Sequence, residues 1–285
     1  MKASAPKNIA ASVRAKLLNL AKQQGIDFNR LLLLYGQERF LYRVSKSKLR
    51  DSFILKGGIL FYGQHHLSAR PTKDIDFLGS GIPHDPVEIE PVIREILAIK
   101  VADGLEFLSE PVSIERIVES AEYEGLRIKL RAKLEQAKVS LQVDIGFGDV
   151  VIPAPIQIDY PTLLGAKRFK IRAYSWESVV AEKLEALARF GELSSRVKDF
   201  YDIDFLLREK KVNKRNLKKV ITETFRNRGT GLRAAQEILT GKSLNMAIKE
   251  RQWQAFLRKN QIESSTSFAE IFKLIRQHLE PLVMN

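Results

Sequence analysis

The sequence contains no cysteine, which removes disulfides, thiolate metal sites and thiol nucleophiles together. It has no apolar run approaching the roughly eighteen residues of a membrane-spanning helix. Its amino terminus has neither the apolar core nor the cleavage site of a signal peptide. The Gly-x-x-x-x-Gly-Lys-Ser/Thr pattern of a P-loop is also missing, as are internal repeats and low-complexity segments. A folded soluble chain, expected in the cytoplasm, remains. Its 285 residues suffice for one large domain or two modest ones, and its apolar fraction of 45% is ordinary.

Charge is plentiful but unevenly placed. The net charge is +13, and residues 1–50 hold 11 Lys and Arg against 2 Asp and Glu. Residues 51–207 hold 19 against 25, and residues 208–260 hold 15 against 4. An acidic middle is therefore flanked by two basic segments. A polyanion lying along the flanks with cations in the middle would explain this, and so would two solvated helical faces.

Ile9, Val13, Leu17, Leu20 and Ala21 recur at helical spacing over 8–24, with Gly25 as the stop, and a second helix is expected over 28–45. Ser52–Leu55 reads as the end of that helical region or a short lead-in. Gly57-Gly58 opens a further helix, Asp74–Leu78 is a short strand, 79–86 a loop and Val87–Ile99 a helix. Residues 126–147 alternate as a hairpin. With a four-residue turn at 135–138, Leu134 faces Val139 and Lys129 faces Asp144, leaving the apolar residues on the opposite face. From Ser175 onward the pattern is helical, with Gly191 ending one helix and Ser194 or Ser195 placed to cap the next. Further helices are expected near 213–226, 230–239, 246–258 and 266–283.

The chemistry concentrates in two short stretches, Lys56-Gly57-Gly58 and Arg70-Pro71-Thr72-Lys73-Asp74-Ile75-Asp76-Phe77. Residues i and i+2 of a strand point the same way, about 6 to 7 Å apart. Asp74 and Asp76 are thus spaced to bracket a pair of divalent ions about 3.5 to 4 Å apart, as phosphoryl-transfer sites do. Asp144, on another strand, either completes such a site or pairs with Lys129. Gly57 and Gly58 either let backbone N–H groups approach a phosphate at a helix start or form a plain turn. Lys56 either binds phosphate or caps the preceding segment. Lys183 and Glu182 either touch a phosphate and a base or ribose, or form a solvated face. Lys198 and Asp202 have the spacing of an i,i+4 pair.

Taken in order, Lys-Gly-Gly, Arg-x-Thr-x-Asp-x-Asp, Tyr123-x-Gly125-x-Arg127, Asp144, Glu182-Lys183-Leu184 and Arg196-x-Lys198-Asp199-Phe200-Tyr201-Asp202 resemble the AbiEii/AbiGii-type nucleotidyltransferases. These are relatives of the DNA polymerase β superfamily and toxins of type IV toxin–antitoxin pairs. The resemblance runs from about Lys56 to Phe205. It implies a bilobed α+β protein: a helical segment 1–50, a mixed-sheet catalytic lobe 51–174 and a helical lobe 175–285. It further implies that Asp74, Asp76 and Asp144 hold Mg²⁺ or Mn²⁺, and that Lys183 and Asp202 complete the catalytic set. Lys56, Gly57, Gly58, Arg70, Thr72, Arg127 and Lys198 would contact the NTP. One departure is Gly58, which stands where the wider superfamily often has a serine that helps hold phosphate. The expected reaction is NMP transfer to an acceptor, in several relatives the 3′ end of tRNA, with a cognate antitoxin as protein partner. The alternatives are a non-catalytic nucleotide- or RNA-binding module of the same fold and a nucleotidyltransferase for small molecules.

Overall fold

The computed structural model describes residues 8–120, 123–191, 196–209, 212–242 and 244–284. The chain forms two compact units, Met1–Gly148 with Gln157–Ala173, and Asp149–Ile156 with Tyr174–Asn285.

The first unit opens with α1 (Ile9–Gln24) and α2 (Phe28–Lys46). Asn8 caps α1, whose end is marked by Gly25 at φ 63°, and Asp27 caps α2. The strands are β1 (Phe53–Lys56), β2 (Asp74–Gly79), β3 (Glu106–Phe107), β4 (Ser113–Ser120), β5 (Tyr123–Leu134), β6 (Ala137–Gly146), β7 (Ile156–Tyr160) and β8 (Phe169–Ala173). They make one eight-stranded mixed sheet in the order β3-β5-β6-β2-β1-β8-β7, with β4 also pairing β5. Two helices interrupt them, α3 (Gly57–His65) and α4 (Pro86–Leu97), the latter capped by Asp85 with Pro86 at its first position.

Two expectations are corrected here. Ser52–Leu55 is no helix end: Phe53, Ile54 and Leu55 are buried in β1, an interior strand antiparallel to β2 and parallel to β8. A four-residue strand covered on both faces shows no alternation, so periodicity cannot reveal it. The β5–β6 turn is also tighter than the four residues expected. Leu134 faces Ala137, and Glu135 turns the corner at φ 53°. A two-residue turn suits the twist of the flanking strands, but here no Asn or Gly announces it. Lys129 consequently faces Gln142 and binds Glu115 at 2.8 Å, while Arg127 faces Asp144. The slip moves each partner by two residues, which preserves the faces: Leu126, Ile128, Leu130, Val143 and Ile145 are buried as expected.

The second unit contains α5 (Trp176–Phe190), α6 (Val197–Arg208), α7 (Lys214–Asn227), α8 (Leu232–Thr240), α9 (Met246–Asn260) and α10 (Phe268–Val283). Ser175 caps α5, and Ser267 with Glu270 forms a capping box on α10. The cap expected of Ser194 or Ser195 falls outside the described residues. Phe200, Ile203, Ile221, Phe225, Trp253, Phe268 and Leu279 fill the helical core, with the Phe200 and Phe268 rings edge-on at 5.0 Å. Arg228 is almost wholly buried and donates to Asp149, Glu182 and Glu185, which ties the segment near Asp149 and the end of α7 to α5. Burial works against its charge, but the carboxylates outweigh burial and raise its pKa above the ordinary arginine value. Among the described residues no helix is long and apolar enough to cross a membrane.

Candidate active site

Register places the acidic residues before any side chain is considered. In the parallel β2–β6 pair, Asp76 stands opposite Asp144. In the antiparallel β1–β2 pair, Lys56 stands opposite Asp76, and in β5–β6, Arg127 stands opposite Asp144. Laterally paired residues share a face. Lys56, Asp76, Asp144 and Arg127 therefore form one row across four strands, two carboxylates between two cations. Asp74, two residues before Asp76 on β2, lies on that same face.

One carboxylate oxygen from each of Asp74, Asp76 and Asp144 falls within 4.8 Å of the others. Asp74 and Asp76 are half-buried and Asp144 is buried. Arg127 Nε donates to Asp144 Oδ1 at 3.0 Å and its Nη2 to Oδ2 at 2.8 Å, while Gln142 Nε2 donates to Oδ2 at 3.1 Å. Those bonds to Asp144 raise the Arg127 pKa. The three aspartates offer only hard oxygen donors on rigid strands, with no His or Cys, so the set fits a hard divalent cation.

The glycine pair meets this cluster directly. Gly57 begins α3 at φ +69°, and a Cβ there would stand 1.8 Å from Asp76 Oδ2. Only glycine permits both the left-handed backbone and the approach of the helix start to Asp76. A Cβ on Gly58 would stand 2.7 Å from Thr72 Oγ1. That hydroxyl donates to Asp74 Oδ1 at 2.6 Å. Thr72 thus occupies the space a side chain at position 58 would need, which gives a local reason for glycine there. Arg70 Nη1 is beside Gly58 and donates to the Pro71 carbonyl at 3.4 Å. Lys56 is the residue before the helix and makes no side-chain cap to it.

The remaining sequence candidates lie in the helical unit. Lys183 Nζ on α5 is held by Asp202 Oδ2 at 2.6 Å and Asp199 Oδ1 at 2.9 Å, both on α6. Asp202 pairs with Lys183 rather than in the i,i+4 arrangement with Lys198, which is exposed. Arg196 Nε also binds Asp199 at 2.6 Å. Burial alone would push Asp199 up, but Lys183 and Arg196 overcome it and hold the carboxyl at about 2. Glu182 is no solvated residue: it accepts from Arg228 and from Tyr174 at 3.3 Å.

Sequence reasoning assigned no role to Asp199 or Gln142. Asp199 stood inside the quoted Arg-x-Lys-Asp motif, three residues before Asp202, and that i,i+3 spacing was a usable signal. Gln142 carried none, because its contact depends on the register.

A mixed sheet carrying paired carboxylates beside a glycine-opened helix, in a chain that also holds a helical unit, defines a nucleotidyltransferase. The chain belongs to the AbiEii family, nucleotidyl transferase toxins of type IV toxin–antitoxin systems, whose model matches residues 39–274. Two solved structures from Helicobacter pylori share the fold. JHP933 is 14% identical, with a TM-score of 0.51 over 87% of each chain. The other, classed as a nucleotidyltransferase, is 14% identical, with a TM-score of 0.52 over 90% of this chain and 92% of its own. No curated protein matches the sequence. Family membership carries nucleotidyltransferase activity, a nucleotide substrate and a cognate antitoxin.

Proposed function

We propose that the protein transfers a nucleoside monophosphate from an NTP to an RNA acceptor, the 3′ end of tRNA, in the cytoplasm, and so blocks aminoacylation. The observation that carries the reading is the convergence of Asp74, Asp76 and Asp144 beside the Gly57-Gly58 helix start. The three aspartates would hold Mg²⁺ or Mn²⁺, which when bound supplies charge neutralisation on the transferring phosphoryl group. Backbone N–H groups at the start of α3 point outward at its positive end, where a triphosphate is favoured. Lys56 and Arg70 add positive charge near that end. Thr72, by donating to Asp74, fixes the orientation of one carboxylate. Arg127 does the same for Asp144 and offsets its charge. The roles of Lys183, Lys198 and Asp202 toward the nucleotide belong to the proposal through the family resemblance. RNA is favoured over a small neutral acceptor by the basic segments, whose contacts would fall steeply with salt.

The test is incubation with total RNA and each α-labelled NTP, followed by mapping of the labelled end. Label on tRNA 3′ ends that disappears with EDTA and in Asp76→Ala is expected. No label on RNA with any of the four NTPs overturns the RNA reading, and growth arrest by Asp76→Ala would detach toxicity from this site.

A further inference from the structure

The two basic segments of the sequence differ once folded. In the first, Arg39 and Arg43 are buried, with Arg39 on Glu38 and Arg43 on Asp103, so part of that charge is spent inside the protein. In the second, α7 turns Leu217, Val220, Ile221 and Phe225 inward and leaves Lys214, Arg215, Lys218 and Lys219 exposed.

Several surface helix cations of this chain are neutralised one turn away. Arg94 pairs with Glu90, Arg208 with Asp204, Arg233 with Glu237 and Arg276 with Glu280, each at i,i+4. Among the described residues no ion pair reaches the four cations of α7, and its first turn has no acidic residue. Two of them stand in that first turn, against the helix dipole. Such an arrangement is locally unfavourable, and an external polyanion relieves it.

The helix is also held at both ends. Asn213 N, at its cap, donates to Glu177 Oε1 at 2.7 Å on α5, and Arg228, just past its last turn, grips Glu182 and Glu185 of the same helix. The four cations are thus fixed relative to α5, which bears Lys183.

We infer that the exposed face of α7 is a track for the phosphate backbone of the RNA acceptor. The inference rests on the RNA reading above and assigns it a surface. Lys214 with Arg215, and Lys218 with Lys219, form two cation pairs about one 5.4 Å helical turn apart. They serve affinity for RNA without regard to its sequence, since phosphate contacts carry no base information.

The test uses the full chain carrying Asp76→Ala, so that binding is read without transfer, and fluorescein-labelled bulk tRNA as probe. Anisotropy is followed from low to moderate KCl. Adding Lys214→Gln, Arg215→Gln, Lys218→Gln and Lys219→Gln together is expected to weaken binding at least tenfold. It should also make the slope of log affinity against log salt shallower by about 3, at roughly 0.7 to 0.9 per lost phosphate contact. Arg233→Gln with Arg276→Gln, which removes paired surface cations, should leave both readings unchanged. Lys218→Glu alone, expected to weaken binding about threefold or more, supplies the same reading should the fourfold variant fold poorly. Unchanged affinity and slope overturn the inference, as does equal weakening by the Arg233 and Arg276 control. So does retained tRNA binding with loss of an acidic protein partner. Because binding is measured apart from transfer, label appearing on RNA in wild type while these variants bind normally would sink this surface and leave the RNA reading intact.

Discussion

Arg127 and Asp144 face each other across β5 and β6 and share two hydrogen bonds, at 3.0 and 2.8 Å. The pair stands at the edge of a three-carboxylate cluster, so the guanidinium has a double effect. It orients Asp144 through a planar fork, and it supplies a positive charge where Asp74 and Asp76 bring two negative ones close by.

Arg127→Gln should therefore destabilise the protein by about 1 to 3 kcal/mol in buffer free of divalent ions, because a mostly buried carboxylate loses its charged partner. Millimolar Mg²⁺ should restore more of the melting temperature in the variant than it adds to wild type, since binding to the folded form alone is stabilising. Thermal unfolding with and without Mg²⁺ checks this. An identical loss in both buffers would show that Arg127 does not share in balancing the cluster.

Gly57 and Gly81 make a matched pair for testing the glycine turn. Both take φ +69°, but a Cβ at Gly81 meets nothing within 4 Å while one at Gly57 meets Asp76 Oδ2 at 1.8 Å. Gly81→Ala should cost about 1 kcal/mol of stability, the backbone penalty alone, and retain activity. Gly57→Ala should add displacement of the Asp76 carboxylate and lower nucleotidyl transfer at least a hundredfold, a loss of about 2.7 kcal/mol or more in transition-state stabilisation. Similar transfer rates in the two variants would mean that Asp76 tolerates movement.

Thr72 is a positioning residue, acting through its 2.6 Å bond to Asp74 Oδ1. Thr72→Val keeps the branched shape and removes the hydroxyl, so transfer should fall about tenfold, about 1.4 kcal/mol, near the lower end of the roughly 1.5 to 3 kcal/mol of a hydrogen bond to a charged group. Thr72→Ser should recover most of it. The Mg²⁺ concentration for half-maximal rate should rise in the valine variant, and an unaltered Mg²⁺ dependence would argue against action through Asp74.

The helical unit was the more legible part of the sequence, because amphipathic stripes such as Trp176, Val179, Val180, Leu184 and Leu187 encode their burial at a fixed period. Asp74 and Asp76 were legible for the same reason, as alternate residues of a strand. Their convergence with Asp144 was only half visible. The face was correct because alternation fixes it, but the partner was not, since register depends on a two-residue turn at Glu135 that has no glycine or asparagine to mark it. β1 was hidden by complete burial. Asp199 was half hidden: its i,i+3 spacing to Asp202 was legible, but its importance comes from Lys183 on another helix, a tertiary contact with no local period.

That contact makes the stability of the fold depend on pH. Asp199 is held at about 2 by Lys183 and Arg196 in spite of burial, below the usual carboxylate value. A group whose folded pKa is depressed stabilises the protein above its unfolded value and loses that contribution as pH falls through the folded one. The window is therefore between about pH 4 and pH 2. Asp199→Asn removes the charge at every pH. Wild type should exceed the variant by on the order of 2 kcal/mol near pH 7, and the gap should close as the solution is acidified through that window. Urea unfolding at a series of pH values measures it. A gap that stays constant from pH 7 to pH 2 would show that the side chain contributes shape and hydrogen bonding there, while the charge shared with Lys183 contributes nothing to the fold.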